Sequence, residues 1–449
     1  MPGPDLQQRL ARLEAQLEKA RQDFHIPGMA MAVVKEDAMI WAKGFGLADI
    51  EKETPVTPET IFAIGSSTKA FTVALIAMLV DEGRMGWDDP ITRYLPDMQL
   101  KIDSAQPDAA VTIRDLLCHR TGFTRMSMLF AGGSASRDEI LRTATGAEPW
   151  SGFRERFLYN NVMYLAAGQA AGIAVGSDWD TLMRERIFIP LGMSCTHTSV
   201  PELSGKETLS LGYDWDEIGE KPRLLEMRVL ENIAPAGAIN SNVLDMAKWV
   251  RFQLNHGVCD SRRLVSEGQF QETWKAQIAV SPGKAYSLGW FLSEWHGQPV
   301  VEHGGNIDGF GAQVGLLPDS HIGYVLLTNV TSTPLQPLSL NMVWEALAGE
   351  WEEADDQGDT VDYSPYLGTY VANFGPFRDV EFTLLEKDGY LAVDVPGQTV
   401  YELKDPDEEG KWRFTLSDQI AVSFVRDDTG RVIAMKQYQN GVVLELPRA

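Results

Sequence analysis

Residues 70–80 read Ala-Phe-Thr-Val-Ala-Leu-Ile-Ala-Met-Leu-Val, almost wholly apolar and free of glycine and proline. A helix that is apolar on every side has no face to offer water, so the rest of the chain must wrap around it. Asp81-Glu82-Gly83 supplies a polar, glycine-containing stop. Just ahead of the run stand Ser66 and Lys69, which share one face of the helix if it starts near Ser66. That pairing puts a serine hydroxyl beside an amine at the positive end of a buried helix, where negative charge on oxygen is favoured. It is a route to a nucleophilic serine that needs no histidine. The same spacing recurs at Ser281-Pro282-Gly283-Lys284, where proline and glycine oppose a helix and the side chains need not converge.

A chain of 449 residues has room for a large core and two or three domains. Its 44% hydrophobic and 23% charged content is that of a globular protein. The net charge of −24 argues against nucleic acid or an anionic membrane as partner, since both ask for basic surfaces. Cys118, Cys195 and Cys259 are too few and too scattered for a disulfide framework or a paired zinc site, and read as buried apolar residues. The first residues carry no apolar leader and no stretch of 18 apolar residues follows, so the expectation is a cytoplasmic protein.

Leu6, Leu10, Leu13 and Leu17 mark an amphipathic helix over 5–24, stopped by Pro27-Gly28. Residues 29–34 and 38–45 read as a strand hairpin. From 112 to about 280 the chain is mainly helical, with apolar residues at helical spacing over 111–119, 161–174, 178–187 and 242–254. Strand character returns at 287–295, 299–303, 311–317 and 322–329, before a helix at 338–347. The economical arrangement is α/β (α+β): one antiparallel sheet joining these strands to the N-terminal hairpin, flanked by helices, with the α-rich block alongside. The first domain would cover 1–350 and an acidic linker 351–362. Beyond it, short alternating runs punctuated by Asp388-Gly389, Thr429-Gly430 and Asn440-Gly441 turns predict a small antiparallel β-barrel domain over 363–449, most simply up-and-down.

Two further clusters carry polar chemistry. Tyr159-Asn160-Asn161 directly precedes an apolar helix; one of the asparagines caps it with Tyr159 packed alongside, or Tyr159 shuttles a proton for Ser66 while Asn161 orients substrate and lysine. On the second reading, a nearby Lys69 lowers the Tyr159 pKa. His303-Gly304-Gly305-Asn306 ends a strand, where adjacent glycines let backbone come close to another segment or to a substrate carbonyl. The amides of Asn306 and Ser66 would then form an oxyanion hole, with His303 on its rim as a donor. The other histidines, including His119, read as structural.

These motifs, in this order, resemble the penicillin-recognising serine hydrolases, and in particular the branch of class C β-lactamases, D-stereospecific aminopeptidases and carboxypeptidases, and β-lactamase-like esterases. The stretches 44–49, 55–62, 89–96, 112–122, 190–193, 235–237 and 286–290 look like that family too. The resemblance implies a β-lactamase/transpeptidase-like fold, a Ser66 acyl-enzyme, and Lys69 and Tyr159 sharing the base and acid roles, with no metal or other cofactor. The third motif departs from the Lys-Thr/Ser-Gly of true β-lactamases: His303 is mostly neutral at pH 7 and does not replace an ammonium that helps hold a drug's carboxylate. That favours esters, amides or short peptides over β-lactams, with carboxylic esters first and weak β-lactam turnover as a side activity. A D-stereospecific aminopeptidase, carboxypeptidase or amidase is the alternative, and a catalytically silent ligand-binding protein the alternative of another class. The terminal β domain resembles the lipocalin-like domain of some of these peptidases; capping the site and homo-oligomerisation are its two readings. The Met- and Leu-rich segment 123–150 is either an apolar acyl pocket or lid, or ordinary core.

Overall fold

The computed structural model describes residues 4–102, 110–203, 208–216, 219, 221–349, 362–374, 378–387, 390–396, 400–407, 409–414, 417–439 and 442–449. The chain divides into two compact units, residues 1–21 with 25–339 and residues 22–24 with 340–449. The acidic segment expected to link them lies largely outside the described residues, as do the Asp388-Gly389 and Asn440-Gly441 turns.

Helix α1 (Pro4–Asp23) turns Leu10, Leu13 and Leu17 inward, as the leucine spacing predicts. The first unit is built on a nine-stranded sheet. Its strands are β1 (Gly28–Lys35), β2 (Ala38–Asp49), β3 (Thr54–Pro55), β4 (Ile278–Ser281), β5 (Lys284–Tyr286), β6 (Phe291–Trp295), β7 (Gln298–Ile307), β8 (Phe310–Leu317) and β9 (Ile322–Thr328). Their order is β4-β5-β6-β7-β8-β9-β1-β2-β3 and the pairings are antiparallel. The N-terminal hairpin thus joins the C-terminal strands through Met29↔Thr328 to Lys35↔Ile322. β1 and β9 are buried almost end to end, which is why both read as continuous apolar runs rather than alternating ones.

The edge strand β4 and its neighbour β5 escaped the sequence reading because three or four residues are too few to show a period; the discarded Ser281–Lys284 copy is their turn, with Gly283 at φ +72°. The strand expected over 287–295 begins only at Phe291, since Ser287 N–H donates to Trp290 O at 2.9 Å and closes a tight turn first.

Helix α2 (Thr68–Asp81) is buried from Thr68 through Leu79. Phe71 stacks on Trp249 at 3.7 Å between ring centroids. The one polar side chain inside the run, Thr72, donates to Pro235 O at 2.8 Å and accepts from Trp179 Nε1 at 3.0 Å, so its burial leaves nothing unpaired. Helix α3 (Asn161–Val175) is capped by Asn160, whose Oδ1 accepts from the amides of Val162 and Met163 at 2.8 and 3.3 Å. Helix α4 (Val243–Leu254) lies against β9 and β1. Cys118 is buried as expected, whereas Cys195 and Cys259 are only half-buried.

The second unit holds two four-stranded antiparallel sheets, Gly368–Ala372 to Val400–Glu402 and Trp412–Phe414 to Val442–Pro447, each in up-and-down order. Single bridges, Leu403↔Phe414 and Tyr370↔Arg448, join them at both edges. This corrects the barrel expectation: among the described residues the ladder does not close continuously. The sheets share one core that includes Tyr370, Phe382, Leu391, Trp412 and Met435. Among the described residues no helix is long and apolar enough to cross a membrane.

Candidate active site

Ser66 sits in a 3₁₀ turn, Gly65–Ser67, that runs straight into α2. Lys69 follows on the same face, and its Nζ donates to Ser66 Oγ at 3.1 Å and to Ala236 O at 2.8 Å. The amine is completely buried and makes no ion pair among the described residues. Burial, reinforced by the charge of Arg125, therefore holds the Lys69 pKa well below that of a free lysine. An amine with a lowered pKa, hydrogen-bonded to a serine hydroxyl, is placed to exchange a proton with it.

Tyr159 packs against this pair, with Lys69 Nζ 4.7 Å from the centre of its ring. The expected lowering of its pKa is reversed. Burial dominates and pushes the phenol up, while hydrogen bonding to Ser66 and the charge of Arg125 pull only partly the other way. The phenolate is the form that burial strips of water, so burial outweighs both of these.

Behind the pair lies an aromatic box of His119, Phe157, Tyr164, Tyr286, Phe291 and His303. His303 is 2% exposed and both ring nitrogens are engaged. Nδ1 lies 2.6 Å from Gly304 O, a pure acceptor, so Nδ1 carries the proton. Nε2 then accepts from Tyr286 Oη at 3.0 Å. Burial, with Lys69 next in weight, lowers its pKa to about 3. The neutrality read from the sequence holds, yet the ring has no free donor for the rim of an oxyanion hole; this part of the expectation is corrected.

What the His303-Gly304-Gly305-Asn306 segment contributes is backbone. A Cβ on Gly305 would stand 1.9 Å from Ile64 O and 3.0 Å from Ser66 N. Across the same gap, Gly65 adopts φ +49°, and a Cβ there would stand 2.8 Å from Asn306 N. Two glycines thus let β7 and the nucleophile turn pass with the Ser66 and Asn306 amides side by side. Gly304 faces Gln313 on β8, and Asn306 Oδ1 accepts from Ser332 N at 2.7 Å.

A cavity of about 230 Å³ opens on Ser66, lined among others by Ser127, Phe130, Asn161, Leu230, Ile233 and Asn306. Asn160, not Asn161, is the helix cap; the Asn161 Oδ1 is buried and has no hydrogen-bond partner among the described residues. Of the 123–150 segment, Phe130 lines the cavity, while Met128 is 88% exposed. A larger depression of about 650 Å³, near Asp180, Arg184, His197 and Glu202, holds no serine–lysine pair and none of the residues above.

Sequence reasoning missed Arg125, whose guanidinium lies 5.1 Å from the Tyr159 ring centre, and set aside His119, whose ring centroid is 4.3 Å from that of Tyr159. His119 Nδ1 accepts from Asn160 N at 3.0 Å, so Nε2 carries the proton, buried without a partner among the described residues. The signal for His119 was its place inside the 112–122 stretch; for Arg125 it was a cation within an apolar run.

A buried amine thus meets a serine at a helix start, beside two backbone amides, in a β-lactamase-like fold. Residues 10–345 match the family model described as Beta-lactamase, and the chain belongs to that family. It is 32% identical over 327 residues to the unguisins hydrolase ungD' of Aspergillus campestris, covering 69% of this chain and 59% of that protein. It is 26% identical over 332 residues to protein flp of Staphylococcus aureus, covering 73% and 64%. The match thus spans less than two thirds of the length of these relatives. Among solved structures, the octameric penicillin-binding protein homologue from Pyrococcus abyssi superposes with a TM-score of 0.72 at 22% identity, over 98% of each chain. A D-stereospecific amidohydrolase from Streptomyces sp. gives 0.62 at 20% identity, over 76% of this chain and 99% of its own.

Proposed function

We propose that the protein hydrolyses carboxylic esters through a Ser66 acyl-enzyme, with Lys69 as the base and Tyr159 as the proton donor. The observation that carries this is the Lys69 amine, fully buried, with its pKa held well below that of a free lysine and its Nζ 3.1 Å from Ser66 Oγ. Ser66 Oγ adds to the carbonyl carbon as its proton passes to Lys69 Nζ. The resulting oxyanion meets the Ser66 and Asn306 amides. The carbonyl then re-forms, the bond to the leaving group breaks, and Tyr159 protonates that group and is reprotonated from Lys69. Water deprotonated by Lys69 releases the acid and restores Ser66. Esters come first because their leaving group is better and neutral His303 supplies no charge for a β-lactam carboxylate.

One observation favours a second reading, a D-stereospecific peptidase or amidase: the unpartnered Asn161 Oδ1 is an acceptor that an amide N–H would satisfy and an ester oxygen would not. Two four-stranded sheets in up-and-down order support a lipocalin-like reading of the second unit.

Fluorophosphonate labelling followed by mass spectrometry is expected to place one adduct on Ser66; no adduct would instead support the silent ligand-binding reading. Profiling with p-nitrophenyl esters, D-aminoacyl amides and nitrocefin is expected to rank them in that order. Faster turnover of the D-aminoacyl amides would select the second reading, and nitrocefin as the best substrate would overturn both.

A further inference from the structure

Arg125 is an exposed arginine with no hydrogen bond or ion pair among the described residues, in a chain of 63 acidic and 39 basic residues where acids are plentiful. Its neighbours differ. Arg120 and Arg154 both clamp Asp115, and Arg137 pairs with Asp180. Arg228, the cation that lines the cavity, is held by Asp308 at 3.2 Å and by Ala131 O at 3.1 Å.

The position of Arg125 is nevertheless fixed. The carbonyl just before it, Thr124 O, accepts from Asn160 Nδ2, so the segment is tied to the residue that caps α3 and follows Tyr159. The guanidinium rests over the Tyr159 ring, 5.1 Å from its centre. Immediately after it Met126 takes φ +52° and turns the chain so that Ser127 lines the cavity. A tethered, solvated and unpaired cation beside the catalytic tyrosine makes that flank of the site attractive to anions.

We propose that Arg125 reads a carboxylate carried on the leaving-group side of the substrate. This rests on the acyl-enzyme reading above. The side follows from Tyr159, which protonates the leaving group and whose ring Arg125 covers, while Phe130, Leu230 and Ile233 line the cavity on Ser66. The chemistry follows from the guanidinium fork, which takes a carboxylate through two parallel hydrogen bonds.

The test compares 3-carboxyphenyl acetate with its neutral isostere 3-carbamoylphenyl acetate, each kcat/KM divided by the rate of alkaline hydrolysis. The wild-type protein is expected to prefer the carboxylate by about 10- to 100-fold, the range of a charge-assisted hydrogen bond. Arg125→Gln is expected to bring the ratio near one, Arg125→Lys to keep part of it, and Arg125→Glu to invert it. Melting temperature and Ser66 labelling report whether each variant is folded and its nucleophile intact. An unchanged ratio in Arg125→Gln overturns the inference, as does a wild-type ratio of one in protein that hydrolyses p-nitrophenyl acetate. Failure to label Ser66 in the wild type overturns the acyl-enzyme reading, and this inference with it.

Discussion

Adding one methyl group at Gly305 tests whether the nucleophile is positioned by backbone contact. The new Cβ of Gly305→Ala would begin 1.9 Å from Ile64 O, and ordinary contact starts at 3.4 Å, so β7 and the nucleophile turn must separate by about 1.5 Å. The obstacle is a backbone carbonyl, which cannot swing aside. Separation pulls the Ser66 and Asn306 amides apart, and misplacement of 1 Å in an active site costs on the order of 10²-fold in rate. Acylation is therefore expected to fall by about 100-fold or more, with a stability loss of about 1–3 kcal/mol from overpacking. The assay is the rate of fluorophosphonate labelling at Ser66 together with p-nitrophenyl acetate turnover, on protein whose thermal melt shows it folded. Gly304→Ala is the comparison. Its Cβ would meet Gln313 Oε1 at 2.9 Å, the far end of a side chain, so less than tenfold loss is expected. Activity of Gly305→Ala within threefold of wild type, or equal losses in the two variants, would refute the reasoning.

Lys69→Met is expected to slow Ser66 labelling by about 10²- to 10⁴-fold, the range of a lost general base, while melting at or above the wild-type temperature because an amine without a counter-ion leaves the core. A melting point several degrees lower would show that the amine is there for stability. With the Lys69 pKa lowered and that of Tyr159 raised, labelling should rise with pH as the amine loses its proton, begin that rise below the range of a free lysine, and then stay level; a fall before pH 10 would contradict the protonated tyrosine. Asp115 is fully buried and receives Arg120 at 2.6 Å and Arg154 at 2.8 and 2.9 Å, besides the amide and hydroxyl of Thr112. Asp115→Ala leaves two guanidinium groups without their partner and should cost about 3–5 kcal/mol in urea unfolding; a loss below about 1 kcal/mol would mean the cluster is effectively solvated.

The sheet was legible because β1 and β9 are covered on both faces and so carry unbroken apolar sequence, and α2 was legible for the same reason. β4 and β5 were not, since four and three residues are too few to establish an alternation. Ser66 and Lys69 could be paired from spacing, since a helix fixes which side chains meet. The Tyr159 pKa could not, because its direction depends on how completely the box of His119, Phe157, Tyr164 and Tyr286 excludes water, a property of long-range packing. His303 was read correctly as neutral and incorrectly as a free donor, since Tyr286 reaches it only through the pairing of β5 with β6 and of β6 with β7. Arg125 was lost in a run judged by its methionines and leucines, one of which, Met128, stands in solvent.

The contact of Gly305 with the Ile64–Ser66 turn has a bearing on how such a protein can diversify. The nucleophile and the amides beside it are located by main chain against main chain, a contact with no side chain to mutate except the hydrogens of Gly65 and Gly305 themselves. Phe130, Leu230 and Ile233, which line the cavity, and Arg125 at the tyrosine hang from other segments and carry none of that alignment. On the proposed acyl-enzyme reading, substitutions in these lining residues can alter which groups the cavity accepts while Ser66 and the two amides keep their places.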